Sequence, residues 1–212
     1  MTLYRTAGAA TLSIGLIALP APRHFATVAA HFDRTEWAGV VGWPTCWPDG
    51  VVIHHTATPD TIAGHPVDVA LLDYLHGHRG FFTWFAGRVY HVGYHYLILP
   101  EGNIQAGRPE RCEGAHAGRL DVNRTYLGIA LVGNFDSSNV GVNARRGPTA
   151  KQLASLETLV RELMDRYHFS ASRIVGHSDV NPDTRCPGNL FSIQAWRQHL
   201  YDAAQGRPSG AP

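Results

Sequence analysis

One apolar run, residues 127–135, constrains the fold of this chain more than any other stretch. From Gly128 to Gly133 the sequence reads GIALVG, without a charged or polar side chain. Apolar runs that lack alternation in this way are typical of strands buried on both faces of a sheet. Such a sheet needs a covering layer on each side, and the sequence therefore predicts an α/β domain in which helices flank a central sheet.

Three stretches are predicted to form the covering helices. Apolar residues recur at helical spacing in residues 67–78, on a stripe that includes Tyr74, and again in residues 153–167. Thr149 precedes the second stretch and is suited to cap that helix, the longest expected in the chain. A shorter helix is predicted over residues 193–204.

The other strands are predicted from short apolar and aromatic runs. Residues 51–53 are all β-branched, and residues 92–99 combine aromatic with β-branched side chains. Residues 101–103, Glu-Gly-Asn, form a turn signal, so that a hairpin partner is expected from Ile104 onward. These runs provide further strands for the sheet.

Three residues from distant parts of the chain can form one zinc site. His54 follows the predicted strand at residues 51–53, whereas His177 and Cys186 flank a proline-containing loop much later in the chain. Two imidazoles and a thiolate are ligands that Zn²⁺ accepts, and three protein ligands leave a fourth tetrahedral position for water. An open position of this kind indicates catalysis. The alternative is that His177 and Cys186 are ordinary loop residues.

Four motifs occur in the order VVIHHTAT, VGYHYLIL, YLGIALVGNF and VGHSDVNPDTRCPG. Together they resemble the zinc-dependent N-acetylmuramoyl-L-alanine amidases of the type 2 family, which includes phage lysozyme-type amidases and animal peptidoglycan recognition proteins. The resemblance runs from about Arg34 to about Trp196 and implies a central mixed β-sheet flanked by helices. It also implies that Zn²⁺, held by His54, His177 and Cys186, supports hydrolysis of the amide between N-acetylmuramic acid and L-alanine in peptidoglycan.

The resemblance implies roles for four further residues, and the need of a metal-bound imidazole for a second partner suggests a fifth. Tyr94 matches the tyrosine that these amidases place beside the zinc-bound water, and Thr184 is a candidate donor to the developing oxyanion. Asp179 is a candidate to orient a ligand histidine through its second ring nitrogen. His116 and Asn123 lie in a segment that forms a wall of the substrate groove in the family. They are expected to contact the peptide or the muramic acid, and the alternative is that they fasten the loop.

The chain departs from one branch of the superfamily at Ala130. The cytosolic recycling amidases carry a glutamate, proposed as a general base, at the matching place in this strand, and an alanine side chain cannot act as a base. The resemblance to the phage and recognition-protein branches therefore implies that the chemistry rests on the zinc and Tyr94. The neighbouring His95 is expected to be a structural histidine of the core.

The chain has 212 residues and a formal charge of +1, which favours one sizeable core and no nucleic-acid partner. Residues 1–30 are predicted to be a signal or leader segment, and the alternative is an ordinary N-terminal helix or a disordered leader. Their apolar run is too short for a stable membrane span. Residues 31–204 are expected to form the amidase catalytic domain, and residues 205–212 a disordered tail. Cys46 and Cys112 form either a disulfide or two separate thiols.

Two other functions stay open on the sequence alone. One is a non-catalytic peptidoglycan-binding module, although recognition proteins of that type typically lack the cysteine ligand that this chain has. The other is a zinc peptidase that acts on a different peptide or amide. A monomer that is secreted or periplasmic is expected, and a phage lysin would instead stay in the cytoplasm until lysis.

Overall fold

The computed structural model describes residues 47–139 and 146–204 and places a five-stranded sheet at their centre. The strands are β1 (Gly50–His55), β2 (Thr61–Ile62), β3 (His65–Pro66), β4 (Thr83–Phe85), β5 (Arg88–Tyr90), β6 (Tyr96–Ile98), β7 (Ile104–Ala106), β8 (Tyr126–Leu131) and β9 (Ile174–Gly176). The helices are α1 (Val69–His78), α2 (Leu120–Thr125), α3 (Ala150–Tyr167), α4 (His177–Val180) and α5 (Ile193–Ala204).

The central sheet is mixed, and its strands lie in the order β7-β6-β8-β1-β9. β8 pairs in parallel with β6 and β1, and β1 pairs in parallel with β9. β7 runs antiparallel to β6 as its hairpin partner, as the turn at residues 101–103 predicts. The pairs β2–β3 and β4–β5 form two small separate hairpins. The expected mixed sheet with flanking helices is confirmed.

The two faces of β8 carry side chains of different sizes. Leu127, Ile129 and Leu131 point into the main core, which they share with residues of α3 and α5. Gly128 and Ala130 face the other side of the sheet, where Ala130 packs in a second, smaller cluster. Because the side chains on this second face are small, polar side chains from neighbouring segments can lie against the sheet.

Helix α3 covers the main core and is fastened to the sheet at its start. Thr149 caps it as predicted, and its hydroxyl accepts a hydrogen bond from the Gln152 amide at 3.0 Å. The buried Gln152 side chain donates through Nε2 to the carbonyl oxygens of Ile98 and Val132, at 3.1 and 2.9 Å. The first turn of α3 therefore satisfies backbone groups at the ends of two strands.

Helix α1 presents a different side to the core than the apolar spacing predicts. Tyr74 is 62% exposed, whereas the buried side chains of this helix are Leu72 and His76. His76 is polar, but its Nδ1 accepts a hydrogen bond from the Gly93 amide at 3.0 Å. Because the ring nitrogen has a partner, the imidazole can be buried without an unsatisfied polar atom. The buried side of α1 therefore includes His76 and excludes Tyr74.

Several expectations concern residues outside the described ranges. These are the leader at residues 1–30, the tail at residues 205–212, and Cys46 as a partner for Cys112, whose own thiol is buried. Among the residues that the structure describes, no helix combines the length and the apolar character that a membrane crossing requires.

His95 is a structural histidine, as predicted, and lies directly before β6. Its ring is 1% exposed; Nδ1 accepts a hydrogen bond from the Gly128 amide at 2.9 Å, and Nε2 donates to the Cys112 carbonyl at 3.0 Å. One nitrogen accepts and the other donates, so the ring is neutral. Burial lowers the pKa of His95 to about 4.

We expect acid to destabilise the metal-free protein through His95. In the unfolded chain the pKa of His95 returns to about 6.5, so the unfolded state binds more protons between about pH 4 and pH 6.5 and stability falls as the pH drops through that window. Lowering the pH from about 7 to about 5 should remove about 2 kcal/mol of unfolding free energy through this group.

Urea unfolding at both pH values checks this expectation. His95→Gln should be less stable than the wild type near neutrality and should show a smaller loss on acidification. His65→Gln, which changes an exposed histidine, is the matched control and should behave like the wild type. An equal acid loss in His95→Gln and wild type would contradict the assignment.

Candidate metal centre

His54, His177 and Cys186 meet at one edge of the central sheet. Their ligand atoms all lie within 4.8 Å of one another. The Cys186 Sγ is 3.6 Å from His54 Nδ1, and the imidazole centroids of His54 and His177 are 4.5 Å apart. The structure thus brings together the three residues that the sequence singles out as zinc ligands.

Parallel strand pairing brings the two histidines together. In the pairing of β1 with β9, Ile53 lies opposite Gly176, and His54 and His177 are the next residues along each chain. The carboxyl ends of parallel strands lie at the same edge of a sheet, where ligands of α/β proteins commonly bind. The long-range pairing of the strands, and not the sequence next to either histidine, therefore places the two rings together.

Cys186 is held in place by backbone contacts of its loop. Its carbonyl accepts a hydrogen bond from the Ser178 amide at 2.8 Å, and its own amide donates to Thr184 Oγ1 at 3.1 Å. The His55 amide lies 3.4 Å from the Cys186 sulfur and donates to it. Gly188 allows the loop to turn back, because a Cβ there would lie 2.3 Å from the Phe135 carbonyl oxygen.

Burial keeps the two histidine rings in the form that binds a cation but holds the proton on the Cys186 thiol. The pKa of His54 lies well below its usual value, because burial disfavours the charged ring and because His116 and His177 are close. Burial also lowers the pKa of His177. Both rings are therefore neutral near pH 7, the form that ligates metals. Burial raises the pKa of the Cys186 thiol to about 12, so a cation would have to displace its proton.

Both ligand histidines are held through the ring nitrogen that faces away from the cluster. His177 Nε2 lies 3.1 Å from the Ala117 carbonyl oxygen, and His54 Nε2 lies 3.0 Å from His116 Nδ1. Asp179, the expected partner, instead accepts a hydrogen bond from the Gly176 amide at 2.8 Å. Sequence reasoning missed the Ala117 contact because a backbone carbonyl leaves no mark in the sequence.

Tyr94 lies beside this cluster. Its ring centroid is 5.2 Å from that of His54 and 5.7 Å from that of the buried His76. Burial raises the pKa of Tyr94 above its usual value, and Cys186 would raise it further as a thiolate. The phenol therefore keeps its proton near pH 7 and can donate a hydrogen bond.

Thr184 lies two residues before Cys186 and is half-buried. Its Oγ1 accepts the hydrogen bond from the Cys186 amide, so the side chain helps to shape the loop that carries the sulfur. A hydroxyl that accepts one hydrogen bond can still donate another. Thr184 can therefore combine the expected donor role with a structural one.

His116 and Asn123 are engaged within the protein. Both ring nitrogens of His116 have protein partners, because Nε2 also lies 3.1 Å from the Tyr126 carbonyl oxygen. Asn123 Oδ1 accepts hydrogen bonds from the amides of His116 and Ala117, at 3.1 and 2.9 Å. These contacts support the alternative in which the two residues fasten the loop.

Comparison with known proteins gives consistent matches. A family model described as N-acetylmuramoyl-L-alanine amidase matches residues 44–189. The endolysin of Enterobacteria phage K11 is 33% identical over 105 residues, and the match spans 50% of this chain and 63% of that endolysin. The endolysin of Escherichia phage T7 is 28% identical over 148 residues, which are 70% of this chain and 84% of that protein.

A solved structure of related sequence has a fold similar to that of this chain. N-acetylmuramoyl-L-alanine amidase LysC from Clostridium intestinale URNW superposes with a TM-score of 0.56 at 30% identity. The superposition covers 78% of this chain and 93% of that one. The similarity therefore extends over most of both chains. The family match over residues 44–189 includes all three candidate ligands.

We expect Asn123→Ala to lower the unfolding free energy by about 1–3 kcal/mol, because two backbone amides lose their acceptor. Asn123→Asp keeps an acceptor oxygen and should lose much less. Denaturant unfolding of the two variants and the wild type checks this expectation. If Asn123→Ala were as stable as the wild type and only raised KM, Asn123 would be a substrate contact instead.

Proposed function

The chain belongs to the N-acetylmuramoyl-L-alanine amidase family, and we propose that it hydrolyses the amide between N-acetylmuramic acid and L-alanine in peptidoglycan. The observation that carries this proposal is the cluster of His54, His177 and Cys186 inside the matched region, in which His54 and Cys186 are buried and His177 is partly buried. The relatives from phages K11 and T7 are endolysins, and LysC is an amidase by name. Their names support a cell-wall substrate for this chain.

We propose Zn²⁺ as the cofactor. Two neutral imidazoles and one thiol, converging within 4.8 Å, match the nitrogen and sulfur donors that zinc prefers. When bound, zinc would polarise the scissile carbonyl and activate water for attack. With three protein ligands, the site would also leave room for substrate.

The protein's own side chains would stabilise the charge that develops on the carbonyl oxygen. Tyr94 keeps its proton and stands beside His54, so its phenol can donate a hydrogen bond to that oxygen. Thr184, which lies in the same loop as Cys186, can add a second donor through its hydroxyl. Ala130 lies opposite His54 in the pairing of β1 with β8, so this position supplies no carboxylate base.

We propose that the partner is peptidoglycan and that the protein acts as a monomer without nucleic acid. The similarity to phage endolysins supports action from the cytoplasm at the time of lysis, the alternative to export. The leader on which export depends lies outside the described residues. The presence of Cys186 argues against a module that only binds the wall.

The test of this function is the identity of the products released from purified peptidoglycan. We expect the wild-type protein to release stem peptides that begin with L-alanine, which mass spectrometry identifies. Chelation of zinc should abolish this release. Cys186→Ala should bind no zinc and release no peptide. Cys112→Ala is the matched control, because it removes the other buried thiol of the described residues without touching the cluster.

Two results would count against the proposal. Intact glycopeptides in every reaction, with the protein still bound to the wall, would indicate a binding module. Cleavage at a different amide would indicate a zinc peptidase with another specificity.

We expect Tyr94→Phe to lower kcat by about 10²- to 10³-fold, the usual effect of removing one oxyanion donor, while zinc content stays at the wild-type level. Thr184→Val should lower kcat less, because zinc and Tyr94 remain. Tyr74→Phe, which alters an exposed tyrosine of α1, is the control and should leave kcat unchanged. Wild-type kcat in Tyr94→Phe would remove Tyr94 from the reaction.

A further inference from the structure

The side chain of His116 forms the middle of a hydrogen-bonded chain that ends at the candidate metal centre. The Tyr126 carbonyl oxygen lies 3.1 Å from His116 Nε2, and His116 Nδ1 lies 3.0 Å from His54 Nε2. We propose that His116 is a positioning residue, which fixes the tautomer and the orientation of the His54 ring so that His54 Nδ1 is presented to a metal ion. This inference builds on the zinc site of the proposed function.

The donor and acceptor roles along these hydrogen bonds follow from the Tyr126 carbonyl oxygen. A carbonyl oxygen can only accept, so His116 Nε2 carries a proton and donates to Tyr126. Burial favours the neutral ring, whose Nδ1 then holds a lone pair and accepts from His54 Nε2. His54 Nδ1 is therefore unprotonated, and it faces the Cys186 sulfur at 3.6 Å.

Two glycines leave the space that the His116 ring occupies. A Cβ on Gly114 would lie 2.4 Å from His116 Cδ2, and a Cβ on Gly128 would lie 2.5 Å from His116 Cγ. Neither glycine has a positive φ, so backbone conformation does not require them. Gly128 is a buried residue inside β8, where glycine weakens the strand. The His116 ring therefore explains why neither position carries a side chain.

The backbone around His116 serves the second ligand histidine as well. Asn123 holds the amides of His116 and Ala117, and the Ala117 carbonyl in turn accepts from His177 Nε2 at 3.1 Å. Two neighbouring residues therefore hold the outer nitrogens of His54 and His177. The ring nitrogens of the structural His95 contact only backbone groups, whereas one ring partner of His116 is the candidate ligand His54.

The test compares two substitutions of the same shape. Leucine and asparagine are nearly isosteric, but only asparagine offers an acceptor to His54 Nε2. His116→Leu should weaken Zn²⁺ binding by about 10- to 100-fold, the usual effect of losing the partner of a ligand histidine, and His116→Asn should recover much of that loss. Zinc affinity is measured by competition with a chromophoric chelator on protein whose fold is checked by circular dichroism.

A second measurement needs no substitution that could disturb folding. Two-bond ¹H–¹⁵N NMR correlations on the metal-free wild-type protein report which ring nitrogen carries the proton. We expect both His54 and His116 to be protonated at Nε2. A proton on Nδ1 of either ring, or wild-type zinc affinity in a folded His116→Leu variant, would overturn the proposal.

Neither measurement uses peptidoglycan, so the inference and the proposed function can fail separately. Loss of zinc affinity in His116→Leu supports the inference even if the wild type releases no stem peptide. Stem-peptide release by the wild type, together with a His116→Leu variant that keeps its zinc affinity and only raises KM, would leave the amidase intact and make His116 a substrate contact.

Discussion

Parallel pairing of β1 with its two neighbours is the interaction on which the candidate site depends. Pairing with β9 places His54 beside His177, and pairing with β8 places Ala130 opposite His54. These contacts are backbone hydrogen bonds between segments that are distant in sequence. A shift of the β1 register by one residue would turn His54 toward the main core and His55 toward the site.

The unequal faces of β8 explain how polar residues fit against a buried sheet. On one face, large aliphatic side chains fill the core under α3 and α5. On the other face, Gly128 leaves room for an imidazole ring, and buried histidines occupy the space beside it. Each of these rings is neutral and has hydrogen-bond partners, so the protein avoids the cost of a buried charge.

Sequence reasoning found the elements with strong local signals. The buried strand, the capped α3 and the boundaries of α5 follow from apolar patterning and from Thr149. The three candidate ligands follow from their residue types and from the motifs that contain them. The buried side of α1 was predicted wrongly, because His76 counts as polar in a pattern although Gly93 satisfies its ring. The contacts of His116 depend on long-range geometry and had no sequence signal beyond the nearby glycines.

The separation between the candidate ligands has a consequence for the folded state as a whole. His54 and Cys186 are 132 residues apart, and they belong to the first strand of the sheet and to the loop after the last one. An ion bound by both would act as a cross-link between them and would favour the native state by mass action. β9 is a short strand that forms one side of the sheet and pairs only with β1 among the described strands. A bound metal would therefore also reduce how often β9 separates from β1.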